Sequence, residues 1–186
     1  KIIKSYAFCD CSSLKEIKIP PVKVIEEYTF AGCLALTEIV IPSSVISIES
    51  NSFNKCNSIT KITLPNSVKK IGENAFEGIK NLEIFGDIQA IPNNSFKNCS
   101  SLIKIIIISE IKSIGQNAFD GCSKLTSIVF PESVKTIGSY SFRGCKKLRK
   151  ISIPSSLTII EDHVFEGCSS ITNITILPSV KIIKEY

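Results

Sequence analysis

Apolar positions recur along the chain with a fixed long period. Phenylalanine stands at Phe8, Phe30, Phe53, Phe76, Phe96, Phe119, Phe142 and Phe165, at spacings of 22, 23, 23, 20, 23, 23 and 23 residues. Three residues after each comes a second column, Cys11, Cys33, Cys56, Ile79, Cys99, Cys122, Cys145 and Cys168. Three further on comes a third, Leu14, Leu36, Ile59, Leu82, Leu102, Leu125, Leu148 and Ile171. Self-similarity at this period marks a stack of small units, each of which buries its apolar face only against its neighbours.

Beyond the third column the chain alternates, as in Leu125-Thr-Ser-Ile128-Val-Phe130 and Leu148-Arg-Lys-Ile151-Ser-Ile153. A period of two with β-branched residues predicts a short strand with one buried face. Pro20, Pro42, Pro65, Pro131 and Pro154 follow; proline has no N–H to give a ladder, so each strand is expected to end there. A second apolar pair at spacing three (Val45/Ile48, Val68/Ile71, Ile111/Ile114, Val134/Ile137, Val180/Ile183) predicts another extended segment on the opposite side. Stretches such as Glu73-Asn-Ala-Phe76-Glu-Gly78 and Gln116-Asn-Ala-Phe119-Asp-Gly121 predict a single helical or 3₁₀ turn closed by a left-handed glycine.

The unit L-x-x-I-x-I-P-x-S-V-x-x-I-G-x-x-A-F-x-G-C, almost complete from Leu125 to Cys145, resembles the BspA-type (Treponema pallidum-type) leucine-rich repeat, and tandem copies cover the whole chain. The resemblance implies a leucine-rich repeat solenoid. It would be a right-handed coil of about eight repeats of roughly 23 residues, with a parallel β-sheet on the concave side and short strands, 3₁₀ turns or single helical turns elsewhere. At about 4.8 Å per coil, eight coils make a ridge of roughly 38 Å. The resemblance also implies macromolecular binding, with adhesins and surface antigens of bacteria and parasitic protists in the family, and no catalytic activity.

Residues 1–186 are read as one such domain, with an irregular 20-residue repeat at 76–96. Between Phe85 and Ile88 only Gly86-Asp87 stand where other repeats carry five residues, and the proline is gone, so the turn after that strand is expected to be shortened. The next repeat also lacks proline and carries Ile108, which predicts a longer strand. Both ends cut through a repeat and no cap is visible, so the chain is expected to be the ordered part of a longer protein, or to cover an open end by self-association.

Composition narrows the chemistry. With 44% hydrophobic residues and a positive mean hydropathy, a substantial core is expected. A net charge of +5 is too mild to single out nucleic acid as partner. No apolar run approaches the roughly 20 residues that span a bilayer, and no signal peptide opens the chain, so no membrane insertion is expected. One histidine and no tryptophan or methionine leave little for acid/base or metal chemistry. His163 shares a column with Asn74, Asn117 and Tyr140 and reads as a surface residue. No phosphate-binding loop, dinucleotide fingerprint or nucleophile elbow occurs. No catalytic residue, cofactor or metal ligand is therefore assigned, and the chain is read as no enzyme.

Seven of the eight cysteines fill one column. On consecutive coils they would stand about 4.8 Å apart with parallel Cβ vectors, whereas a disulfide wants Cβ atoms near 3.8 Å and facing each other. Ile79 in the same column points the same way, to a line of buried free thiols. Cys9 with Cys11 makes only a C-x-C, without a second pair or a nearby histidine. The acceptor patterns at Asn93, Asn98 and Asn173 are taken as chance matches to the N-glycosylation motif.

What remains for function is the outward face of the concave sheet. Alternation selects two columns: Glu16, Glu38, Lys61, Ile84, Lys104, Ser127, Lys150, Asn173, and Lys18, Val40, Thr63, Gly86, Ile106, Val129, Ser152, Thr175. Acid lies toward the N-terminal coils, and base toward the C-terminal ones, where Arg143, Lys146, Lys147, Arg149 and Lys150 cluster. Ile106 and Val129 are expected to form an exposed apolar centre beside Lys104. The candidate partner-binding residues are Glu38, Lys61, Lys104, Ile106, Ser127, Val129, Arg149 and Lys150.

The expected function is non-enzymatic protein recognition. One reading is a cytoplasmic scaffold or regulator, for instance for a signalling enzyme such as a phosphatase, which the free thiols and missing signal peptide favour. The alternative is a cell-surface adhesin or antigen that binds host or matrix proteins.

Overall fold

Each repeat forms one coil of a parallel β-solenoid in the computed structural model, which describes residues 1–60, 62–79, 81–84, 89–107 and 110–185. On one side, β3 (Ile62–Leu64), β5 (Asn81–Ile84), β7 (Lys104–Ile107), β9 (Ser127–Ile128) and β11 (Lys150–Ile151) make a five-stranded parallel sheet in the order β11-β9-β7-β5-β3. Residues 16–19, 38–41 and 172–177 occupy the equivalent stretches of the outer coils without forming strands. The first two of these coils are joined through the preceding turn instead, where Ala35 N donates to Ser12 O and Thr37 N to Lys15 O.

Proline controls strand length as its chemistry requires. β3 stops at Leu64, directly before Pro65, and Val68 N then donates to the Pro65 carbonyl at 3.1 Å to close a turn. The same closure joins Val134 to Pro131 and Leu157 to Pro154. β5 and β7, whose repeats lack that proline, run for 4 residues each, against 2 in β9 and β11. The longer strand expected after the irregular repeat is therefore present, although Ile108 lies outside the described residues.

The second extended side is present too. Strands β1 (Val24–Ile25), β2 (Ser47–Ile48) and β4 (Lys70–Ile71) pair in parallel. So do β6 (Ala90–Ile91), β8 (Ser113–Ile114) and β10 (Thr136–Ile137), and β12 (Ile159–Ile160) with β13 (Ile182–Ile183). The break between β4 and β6 falls at the irregular repeat.

The third side departs from the expected helical turn. Bonds of the i to i+3 kind are there, as from Ala7 N to Lys4 O and Cys9 N to Tyr6 O, but the segments are chains of turns, not helices. The residue two before each phenylalanine is left-handed: Tyr6, Tyr28, Asn51, Asn74, Asn94, Asn117, Tyr140 and His163, with φ from 53° to 63°. So is the residue two after it, from Asp10 to Gly167. A left-handed residue cannot propagate a right-handed helix. It turns the backbone N–H groups toward the next coil instead: Phe30 N reaches Ser52 O at 2.8 Å and Phe119 N reaches Ser141 O at 2.8 Å.

The phenylalanines lie inside this turn side and stack from coil to coil, with centroids 5.4 Å apart for Phe8 and Phe30, 5.1 Å for Phe119 and Phe142, and 6.0 Å for Phe142 and Phe165. The thiol and leucine columns are buried alongside them through the central coils. Among the described residues no helix is long and apolar enough to cross a membrane.

The irregular repeat is shortened at a different place from the one expected. Leu82 pairs with Ile62 and Ile105, so it occupies the strand position and not the leucine column. From Leu82 to Ile91 there are nine residues, as from Ile105 to Ile114 and from Ile128 to Ile137, while only three separate Ile79 from Leu82 where six separate Cys99 from Ile105. The three missing residues therefore precede the strand. The pairing also corrects the two surface columns, because Asn81 stands opposite Lys104, and Glu83 opposite Ile106, where Ile84 and Gly86 were expected. Gly86 itself lies outside the described residues.

Candidate binding face of the five-stranded sheet

Ile62, Leu64, Ile105, Ile128 and Ile151 point inward and are buried, which by the two-residue period turns their neighbours out. Lys104, Ser127 and Lys150 stand opposite one another on consecutive strands and are all exposed. Val129, just beyond β9, is 73% exposed, and Arg149, just before β11, is exposed while its backbone N–H bonds to Thr126 O. Glu38 is exposed two coils from the other end and lines a shallow depression of about 450 Å³ with Glu16, Lys18 and Val40. Lys61 lies outside the described residues.

Two expectations about this face need correction. Ile106 is only half-buried and not an open apolar centre: it sits inside the longer β7, paired with Glu83 of β5, whereas Val129 lies past the end of its strand. Arg143 does not belong to the basic cluster. Its guanidinium grips Asp120 on the turn side, with Nε to Oδ1 at 3.0 Å and a second nitrogen to Oδ2 at 2.7 Å, and lies 5.0 Å from the centre of the Tyr140 ring.

That ion pair belongs to a polar ladder unforeseen in the sequence reading. Asn54 donates to Glu77 at 2.8 Å, Lys97 comes within 4.0 Å of the buried Asp120, and Arg143 completes the pair. Three residues further back, His163 stacks on Tyr140 with ring centres 4.8 Å apart, and its Nδ1 lies 3.4 Å from Glu166. The alternating signs of Glu77, Lys97, Asp120, Arg143 and Glu166, each directly after its phenylalanine, were the signal that could have revealed it. A fork-on-carboxylate pair fixes the register of neighbouring coils more than it adds net stability.

All eight cysteines are free. From Cys33 onward the column thiols point back one coil to a phenylalanine carbonyl: Cys33 to Phe8 at 3.2 Å, Cys56 to Phe30 at 3.1 Å, Cys99 to Phe76 at 2.9 Å and Cys122 to Phe96 at 3.1 Å. The thiol is thus a small apolar filler with one weak donor for a carbonyl that would otherwise lack a second partner. Burial pushes Cys33 up to about 11 and Cys56 up to about 12. Thiol counting in denaturant without reductant is expected to find all eight, with the exposed Cys11 alone reacting fast in the native protein. A count of six or fewer would overturn the column geometry. Among the described residues no group of three His, Cys, Asp or Glu side chains is placed to hold a metal ion.

The comparisons with known proteins agree with this architecture. A Treponema pallidum leucine-rich repeat protein of known structure is 33% identical over 78% of this chain and 72% of its own, with a TM-score of 0.71. A leucine-rich repeat protein from Eubacterium ventriosum is 34% identical over 83% of this chain, with a TM-score of 0.74, and this chain spans only 43% of its length. The pneumococcal vaccine antigen PcpA, 21% identical over 92% of this chain and 47% of its own with a TM-score of 0.53, shares the fold. No curated protein matches the chain. The BspA type leucine rich repeat region matches residues 1–86 and 89–186 in 6 copies, where the phenylalanine ladder has eight rungs. Ladder, register and relatives converge: the chain belongs to the BspA-type leucine-rich repeat family.

Proposed function

We propose that the chain is a non-enzymatic protein-recognition module that binds a macromolecular partner on the outward face of its five-stranded sheet. One observation carries this reading: the inward residues of the strands are buried by coil stacking, while Lys104, Ser127, Val129 and Lys150 face out and differ from coil to coil. Packing does not dictate their identity. A solenoid of this kind offers an extended surface with side chains in ranks, suited to a macromolecule and not to a small substrate.

We further propose an intracellular scaffold or regulator. The buried thiols do not bear on this, because the coil holds them apart in any compartment. Cys9 does: it stands outside the column on the turn side, half-buried and unpaired, a state better kept in a reducing compartment.

The test is a partner captured with the wild-type chain and then titrated against a variant carrying Val129→Asp. Val129 is too exposed to matter for folding, so circular dichroism should be unchanged. Affinity is expected to fall at least about tenfold, or roughly 1.4 kcal/mol. Unchanged affinity in the folded variant would move the site off this face.

A further inference from the structure

We infer that the C-terminal half of the sheet face binds an acidic, extended protein segment. This rests on the recognition reading above and adds the chemistry of the partner. Lys104, Lys124, Lys146, Lys147, Arg149 and Lys150 are all exposed on three consecutive coils, and among the described residues none of their side chains makes an ion pair or hydrogen bond. On the second extended side two lysines are paired, Lys70 with Glu49 at 2.8 Å and Lys184 with Glu161 at 2.6 Å. On the sheet face of these coils, residues 103–107, 126–130, 149–153 and 172–176 contain no aspartate or glutamate.

The nearest acid groups are committed or bordering. Asp120 is buried against Arg143, Glu132 accepts from the Ser155 N–H and hydroxyl at 2.8 and 2.7 Å, and Glu83 stands in the strand beyond Ile106. Among the described residues, the positive charge here has no counter-ion at ion-pair distance.

The local shape also suits an anionic chain. Ser127, Val129, Lys150, Ser152 and Asn173 line a depression of about 360 Å³ together with Ile128 and Ile151, so one ammonium, two hydroxyls and an amide border a largely apolar surface that suits a chain of alternating acidic and apolar residues. Lys104 and Lys150 are two strands apart in one register, about 10 Å at the usual strand spacing. Alternate carboxylates of an extended peptide lie about 7 Å apart and can meet such a row. Single-stranded nucleic acid is disfavoured, because among the described residues this face has no exposed aromatic side chain on which a base could stack.

The probe is a fluorescein-labelled peptide of alternating glutamate and valine, followed by anisotropy with the full chain. It is expected to bind with an affinity that falls steeply as salt is raised, since exposed charges are screened beyond about 8 Å at physiological ionic strength. Replacing Lys104, Arg149 and Lys150 together by alanine should weaken binding at least about tenfold. Lys69→Ala/Lys112→Ala/Lys135→Ala, which removes the same charge from the other side, should change it less than about threefold.

No binding of the acidic peptide would overturn the inference, as would an equal loss in the control variant or equal binding of the matching lysine–valine peptide. So would tighter binding of duplex DNA or phosphatidylserine vesicles that the sheet variant abolishes. If the acidic peptide fails while Val129→Asp still weakens the captured partner, only the acidic chemistry falls and sheet-face recognition stands.

Discussion

Truncation of Phe119 to alanine is expected to cost about 3–5 kcal/mol of stability, the range for a fully buried aromatic. Its side chain is completely buried, and it is a rung in a continuous stack, with Phe96 and Phe142 both 5.1 Å away. The loss combines the transfer of the ring, a cavity that the stiff coils on either side cannot close, and two aromatic contacts of about 0.5–1.5 kcal/mol each. Each coil depends on its neighbours for burial, so the damage spreads along the solenoid. Chemical denaturation followed by circular dichroism measures it. A loss below about 1 kcal/mol would mean that the ring stack contributes packing without stability.

Alkaline pH is expected to unfold the protein far more readily than acid. Burial holds Cys33 and Cys56 protonated up to about 11 and about 12 and raises Cys122 in the same direction, from an ordinary value of 9.0, whereas Cys145 is raised and Cys168 lowered by the hydrogen bond they share, so that pair offsets itself. The unfolded chain therefore sheds these protons first as pH rises. The stabilisation is complete below pH 9, and drains away above it until each folded thiol also ionises. Each such thiol removes at most about 1.4 kcal/mol per pH unit in that window, so Cys33, Cys56 and Cys122 together remove at most roughly 4. A reserve at the lower end of the usual range of about 5–15 kcal/mol is then exhausted within about 1–2 units. Stability measured by urea titration at successive pH values should fall steeply above 9, and Cys56→Ala should make the fall shallower by about 1.4 kcal/mol per unit. A flat profile through the first unit above 9 would show that the thiols are not held in their protonated form by the fold.

Much of this architecture was legible because repetition multiplies weak signals. A single Leu-x-x-Ile-x-Ile stretch could be strand or buried helix, but seven copies with Leu, Ile or Phe interchanged, each behind a phenylalanine and a thiol and five of them closed by proline, leave only a coil that stacks on itself. The thiol column was readable for a physical reason: a residue type that Ile79 can replace is filling space, not making bonds. Proline marked the strand ends for the equally local reason that it cannot donate.

The turn side was harder. Asparagine at Asn51, Asn74, Asn94 and Asn117 and histidine at His163 hint at the left-handed region, yet Tyr6, Tyr28 and Tyr140 take the same conformation without any such preference. Hydrogen bonding to the next coil imposes it, as from Tyr6 N to Glu27 O at 3.1 Å and from His163 N to Glu185 O at 2.8 Å. Those partners are more than twenty residues away, beyond the reach of any local propensity.

The sequence by itself determined the coil, its period, its buried columns and which face of the strands turns outward, since these follow from side-chain periodicity alone. Tertiary structure decided three things that depend on pairing across coils. It placed Leu82 in the strand and so moved the three-residue shortening ahead of β5, because hydrogen-bond register, not resemblance between columns, anchors a strand. It took Arg143 away from the sheet and onto Asp120, since a guanidinium seeks the carboxylate one coil away. And it left Val129 open while half-covering Ile106, because exposure at a given alternation depends on how far the neighbouring strands extend.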